Sequence, residues 1–196
     1  MKHTEKIAAI ITDNLPISQE AINQFLKLVE VKKIEKRTIF IQRKKLNHSE
    51  YFLLNGICRS FINDKEGVSI SISFFQDRSV ITPHVIRTAD NVSNLSFEAL
   101  TNCEIGIVNA EAFLNLMIEN VEIRTFANSI LKNELIQKVD KEINMASLNA
   151  KERLIALRKT YPNIENQIPH GMIASYLGIT TISLSRSRKE ISLAGL

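Results

Sequence analysis

The chain has 196 residues, 44% of them hydrophobic and 23% charged. That balance suits a globular protein of one large or two small domains and excludes a disordered chain. The formal net charge is +4, and all of the excess lies in residues 147–196, where seven basic residues meet three acidic ones. A basic end on an otherwise neutral body suits a polyanion partner.

No stretch approaches the roughly 20 apolar residues that span a bilayer, so no membrane association is expected. At the N-terminus, Lys2, Glu5, Lys6 and Asp13 surround a short apolar run, Ile7–Ile11. This is not a signal-peptide layout, and it places the protein in the cytoplasm. Cys58 and Cys103 stand outside any Cys-x-x-Cys pair and read as two small buried thiols. His3, His48, His84 and His170 are scattered without metal-ligand spacing, so neither a metal nor another cofactor is expected. An enzyme built on such a chain would need His and Glu clustered on neighbouring strands, and the strands hold almost none.

In chain order, Ser18 can cap a short helix over Ser18–Val29, with Ile22, Phe25, Leu26 and Val29 on one face. From Val31 to Val108 the period changes. Val68–Phe74 alternates strictly between apolar residues and serine, the mark of a strand buried on one face. It pairs back onto Ile57–Ile62 across Asn63-Asp64-Lys65-Glu66-Gly67, a hairpin connection. Thr38–Ile41, Tyr51–Leu54, Ser96–Leu100 and Glu104–Val108 are further short strands, and together they suggest an antiparallel roll.

Asn109 caps the next segment, with Glu111 in its first turn. From Ala110 to Ala146 there is no proline or glycine, and the later part reads as one long amphipathic helix. Its apolar positions are Ile123, Phe126, Ile130, Leu131, Leu135, Val139 and Ile143. That stripe can pack on the chain's own roll or pair with a second copy; a small roll cannot cover so long a stripe, which favours a homodimer. Ser147-Leu148-Asn149 breaks the helix, and Asn149 caps another over Ala150–Thr160, ended by Tyr161-Pro162-Asn163.

The last fifty residues hold the most informative pattern. Pro169 suits the first turn of a helix whose inner face is Ile173, Ala174 and Leu177. Gly178 marks a sharp turn that calls for a positive φ, and Ile179 fills the gap between two helices. Thr180 caps the second helix, whose residues Leu184 and Ile191 return to the core. Its outward face reads Thr181, Ile182, Ser185, Arg186 and Lys189, with Ser183, Arg188 and His170 nearby. Short hydroxyls at a helix N-terminus with cations beyond them suit the major groove and its flanking phosphates. The alternative is a helical hairpin packed in an ordinary core. The turn glycine, the capped second helix and the basic outer face together favour double-stranded DNA.

These residues carry a resemblance. Ile173-Ala174-Ser175-Tyr176-Leu177-Gly178-Ile179-Thr180 with Leu184-Ser185-Arg186 resembles the recognition unit of the catabolite-activator/FNR (Crp/Fnr) family of bacterial transcription regulators. Tyr51-Phe52-Leu53-Leu54-Asn55-Gly56-Ile57-Cys58-Arg59 resembles the family's strand-glycine-strand passage. Glu98-Ala99-Leu100-Thr101-Asn102-Cys103-Glu104 resembles the strand pair closing its roll. The resemblance covers nearly the whole chain. It implies an α+β protein: a cyclic-nucleotide-binding-like β-roll over residues 1–117, a long dimerisation helix over 118–146, and a helix-turn-helix of winged-helix type over 147–196. It further implies a sequence-specific DNA-binding regulator, not an enzyme, with DNA, a second copy of itself and RNA polymerase as partners.

The sequence also departs from the family. Cyclic-nucleotide members hold the phosphate with a Gly-Glu pair followed by Arg-Ser/Thr-Ala, yet no glycine occurs between Gly67 and Gly106. Arg87-Thr88-Ala89 has the right letters but lies about six residues out of register. Asp77, Thr82, Arg87 and Ser93 are the residues left to line an effector pocket. Cyclic AMP is therefore not the expected effector, and the runner-up function is a cyclic-nucleotide sensor with an altered cassette. The N-terminal cysteine cluster of iron–sulfur members is missing, and His84 alone gives little support for haem. After the second helix, Ile191–Leu196 leaves room for a minimal wing at most.

Overall fold

The computed structural model describes residues 2–81 and 90–193. Within these, two short helices precede a run of antiparallel strands and further helices follow it, as the change of period after Val31 implied. Three elements precede the expected strands or interrupt them. Helix α1 spans His3–Asn14, strand β1 spans Val29–Ile34 and strand β6 spans Ser79–Ile81; none of them was legible in the sequence. Helix α2 covers Gln19–Leu26, ending three residues before its apolar spacing suggested. Val29 instead opens β1, where it pairs with Val108. An apolar residue at that position satisfies the helical period and the strand period alike, so the spacing alone cannot place the boundary.

The other strands are β2 (Ile39–Ile41), β3 (Ser49–Asn55), β4 (Cys58–Asn63), β5 (Ser69–Phe75), β7 (Ser96–Ala99) and β8 (Cys103–Asn109). They form two four-stranded sheets, ordered β1-β8-β3-β6 and β2-β7-β4-β5. The β4–β5 turn is built as its residues suggest. Gly67 takes φ +82°, and the Asp64 carboxylate accepts from the amides of Glu66 and Val68 at 2.9 and 2.8 Å.

The helices are α3 (Ala110–Glu119), α4 (Val121–Ser147), α5 (Ala150–Thr160), α6 (His170–Leu177) and α7 (Thr181–Leu193), with a 3-10 turn at Ile164–Asn166. The stretch without proline or glycine still breaks between α3 and α4. The Asn120 side chain accepts from the amides of Glu122 and Ile123 and starts a new helix there. Ser18, Asn109 and Asn149 cap α2, α3 and α5 by the same means.

The chain divides into two compact units: Met1–Ser60 with Phe75–Leu135, and Phe61–Phe74 with Ile136–Leu196. In the first unit β3 is buried on both faces, which explains its unbroken apolar run. Tyr51 and Leu53 join Ile41, Phe97 and Ile105 between the sheets. Phe52 and Leu54 face the helices, where Phe52 meets Phe25 edge-on at 5.1 Å between ring centroids. Arg59 binds Glu98 through Nε and a terminal nitrogen at 3.0 and 2.8 Å, an ion pair with little water access.

In the second unit, Leu154, Leu157, Ile164, Ile168, Ile173, Leu177, Leu184 and Ile191 are buried together with Ala174. The Phe74 ring lies 5.1 Å from that of Tyr176 and 5.8 Å from that of Tyr161. The Ser71 amide donates to Ser175 Oγ at 3.2 Å. Lys138 Nζ donates to Ser73 Oγ at 2.6 Å.

Candidate nucleic-acid interface

Helix α6 ends at Gly178, which adopts φ 64° and ψ 36°. Its amide points back to the carbonyls of Ala174 and Ser175, and the Ile179 amide bonds to Ala174 O at 3.0 Å. This is a left-handed helix stop of the Schellman kind, and glycine adopts it without the steric cost of a Cβ. A side chain at Gly178 would also meet Met145 Cε at 2.8 Å. Two residues later Thr180 Oγ1 accepts from the Ser183 amide at 3.1 Å and starts α7. Ala174 on α6 and Ser187 on α7 are both small and buried. Ser187 is the inward residue that sequence reasoning missed, because a serine between two arginines carries no apolar signal.

The outward side of α7 presents Thr181, Ile182, Ser185, Arg186 and Lys189 to solvent, with Ser183 half-buried. Ile182 is 74% exposed. Among the described residues, neither Arg186 nor Lys189 has an ion-pair partner. Arg188 differs: its Nε lies 3.0 Å from Glu165 Oε1, while Arg158 holds Oε2 of the same carboxylate. His170 joins this cluster, with Nε2 at 3.2 Å from Glu165 O and Nδ1 at 3.4 Å from the Arg188 guanidinium. Of the residues assigned to DNA from sequence, Arg188 and His170 are therefore engaged in binding α7 and α6 to the 3-10 turn, and Thr180 in capping.

The residues assigned to a dimer helix fall into two groups. Ile123, Phe126 and Ile130 are buried in the first unit's own core, against Phe25, Phe52 and Phe113. Leu131, Leu135, Val139 and Ile143 are exposed on α4, as is Ile136. The expected stripe is thus shortened at its N-terminal end.

Of the residues expected to line an effector pocket, the two that are described are each engaged within the roll. Asp77 accepts from the Gly56 amide and so secures the β3–β4 turn. Ser93 is fully buried, donates to Leu95 O at 2.7 Å and exchanges backbone hydrogen bonds with Lys44 and Lys45. Thr82 and Arg87 lie outside the described residues. Cys58 and Cys103 are buried and not disulfide-bonded, and burial pushes both thiols above their ordinary pKa. Among the described residues, no group of three His, Cys, Asp or Glu could hold a metal ion. None of their helices is long and apolar enough to cross a membrane.

No family model and no curated protein sequence matches the chain. Solved structures do. FixK2 from Bradyrhizobium japonicum aligns with a TM-score of 0.74 at 16% identity, over 85% of this chain and 86% of that one. A protein assigned to the Crp/Fnr family, from Eubacterium rectale, aligns with a TM-score of 0.70 at 16% identity, over 94% and 89% of the two chains. The catabolite activator protein of Thermus thermophilus aligns with a TM-score of 0.57 at 17% identity, over 92% and 86%. The chain therefore has the fold of the Crp/Fnr regulators.

Proposed function

We propose that this chain is a sequence-specific DNA-binding transcription regulator of the Crp/Fnr type, acting as a homodimer in the cytoplasm. One observation carries the reading. The Gly178 turn and the Thr180 cap start α7 as a helix whose exposed outer face is polar apart from Ile182 and cationic at Arg186 and Lys189. Such a helix suits the major groove, with its first turns over base edges and later cations over phosphates. The shared fold adds support, since neighbours of the same architecture include a catabolite activator.

In this reading residues 1–117 form a sensor roll, 118–146 the dimer helix and 147–196 the DNA-binding domain. A symmetric dimer would read two half-sites about 34–36 Å apart, centre to centre. RNA polymerase is the partner through which a bound regulator of this type acts. The effector is not cyclic AMP, because the residues where its phosphate would be held lack the glycines that bring backbone amides close to an anion. Sequencing the DNA fragments that the purified protein retains from a random pool tests the function. A recurrent, near-palindromic sequence is expected, and a pool that stays unenriched at physiological salt would refute it.

A further inference from the structure

The second unit contains a cavity of about 100 Å³ bordered by the C-terminal half of α4, by α5 and by the end of α6. A space of roughly 10–15 Å³ holds one water, so the cavity has room for a polyatomic ligand. Its lining includes Lys141, Asn144, Arg153, Thr160 and Tyr176, with Asp140 among them. The observations on the first four residues decide what kind of ligand fits.

Arg153 donates from a terminal nitrogen to Leu177 O at 2.8 Å, and its buried Nε has no partner among the described residues. Lys141 Nζ donates to Ile72 O at 2.5 Å and stands 3.8 Å from the centroid of the Tyr176 ring. An ammonium has three donors, so this leaves donor capacity unused. The Asn144 side-chain amide adds a further donor, while the Thr160 hydroxyl already donates to Ala156 O at 3.1 Å. Asp140 is exposed to solvent, where water screens its charge. Buried Tyr176 is held above the ordinary phenol pKa and stays neutral. The carbonyl end of α6 is already taken at Leu177 by Arg153.

We propose that this cavity is a binding site for a small oxyanion, a phosphate or a carboxylate, held by Lys141, Asn144 and Arg153. An apolar occupant would leave the spare Lys141 donors unpaired, and a cation would be repelled by both basic groups. An oxyanion accepts from the guanidinium and the ammonium together. The low pKa of Lys141, about 8, agrees: burial and the nearby Lys138 disfavour its charge, and an anion would relieve both. A bound ion would also brace α4, α5 and α6 against one another, stabilising the folded chain by mass action.

The test is a titration of the full chain, without DNA, with sodium phosphate and then sodium acetate. Each is compared with chloride at equal ionic strength, following the Arg153 Nε–H resonance and the melting temperature. A saturable shift of that resonance is expected, with a rise in melting temperature. The stronger of the two anions identifies the ligand class. Lys141→Met and Asn144→Ala should each weaken binding by about tenfold or more. Lys132→Ala, on the exposed side of α4, should leave it unchanged. Asn144→Ala touches neither cation, so it keeps the test decisive if Lys141→Met fails to fold. A response no greater than that to chloride, or one that Asn144→Ala leaves intact, overturns the site. The result is independent of whether α7 binds DNA.

Discussion

Arg188 Nε and Glu165 Oε1 stand 3.0 Å apart, joining α7 to the 3-10 turn. Glu165 is 10% exposed and also holds Arg158, so its carboxylate balances two guanidinium groups. Removing that carboxylate leaves both cations without their partner. Glu165→Gln should therefore destabilise the second unit by about 1–3 kcal/mol, read as a lower midpoint in urea. Arg188 is itself more exposed, and Arg188→Ala should cost less than about 1 kcal/mol. Its effect on DNA should be an equal weakening on every sequence, as expected of a residue that orients α7. A loss of selectivity at one base position would instead make Arg188 a base reader.

The dimer prediction follows from how α4 is covered. Ile130 is only 8% exposed and belongs to the chain's own core, so placing a charge there would unfold the roll and say nothing of a partner. Leu135 and Ile143 are 65% and 55% exposed and carry no such ambiguity. The unmutated protein should be a dimer by light scattering at micromolar concentration. Leu135→Asp combined with Ile143→Asp should yield a monomer whose circular dichroism still reports folded helices and strands. An unmutated chain that is already monomeric would remove the homodimer from the reading.

Lys141 makes stability depend on pH in a defined direction. Burial and repulsion from Lys138 lower its pKa to about 8 in the folded chain. In the unfolded chain a lysine titrates near about 10.4. Between these values the unfolded state binds the additional proton, so stability rises with pH from about 8 and levels off near the unfolded pKa. The gain should amount to about 1–3 kcal/mol across that window. Lys141→Met should abolish the rise, measured as the difference between the two urea midpoints at each pH. An equal pH slope in the variant would assign the effect to other groups.

The roll is expected not to take up cyclic AMP. Asp77 is committed to the Gly56 amide and Ser93 to Leu95 O, so neither is placed to hold a ligand's phosphate or ribose. Calorimetric titration of the full chain should show no binding in the micromolar range. A micromolar or tighter isotherm would restore the cyclic-nucleotide reading with an altered cassette.

How far the sequence could be read depends on the kind of signal each residue gives. Caps and turns were legible because their chemistry is local: Ser18, Asn109, Asn149, Thr180 and Gly178 each act within a few residues of themselves. The strict alternation at β5 gave the strand but not its buried face: Ser71 and Ser73 are buried, Ile70 and Ile72 are only half-buried and Val68 is exposed, because the serines find hydrogen-bond partners in Ser175 and Lys138. Helix α1 was not legible, because Ile7, Ile10 and Ile11 sit in a short segment without a Ser, Thr, Asp or Asn cap. Strand β6 escaped because three residues are too few to show a period, and it exists only by pairing with Tyr51–Leu53. In the candidate interface, the outward residues of α7 could be named from spacing. That Arg188 turns aside to Glu165 depends on a contact across 23 positions of chain, which no spacing rule reports.

On the proposed function, the outer face of α7 reads bases. Arg186 lies about one and a half turns beyond Thr180, where a guanidinium can reach a guanine edge and bond it bidentately. Lys189 is almost one turn further on, where a point charge suits a phosphate. The decisive measurement is the affinity of Arg186→Ala and Lys189→Ala for the best selected duplex and for a scrambled one, across a range of salt. Arg186→Ala should lose roughly 1–3 kcal/mol on the selected site and little on the scrambled one, so the ratio of the two affinities falls. Lys189→Ala should weaken both alike and reduce the salt slope by about one. If Arg186→Ala leaves that ratio unchanged, α7 does not read sequence through this residue and the assignment of the interface is wrong.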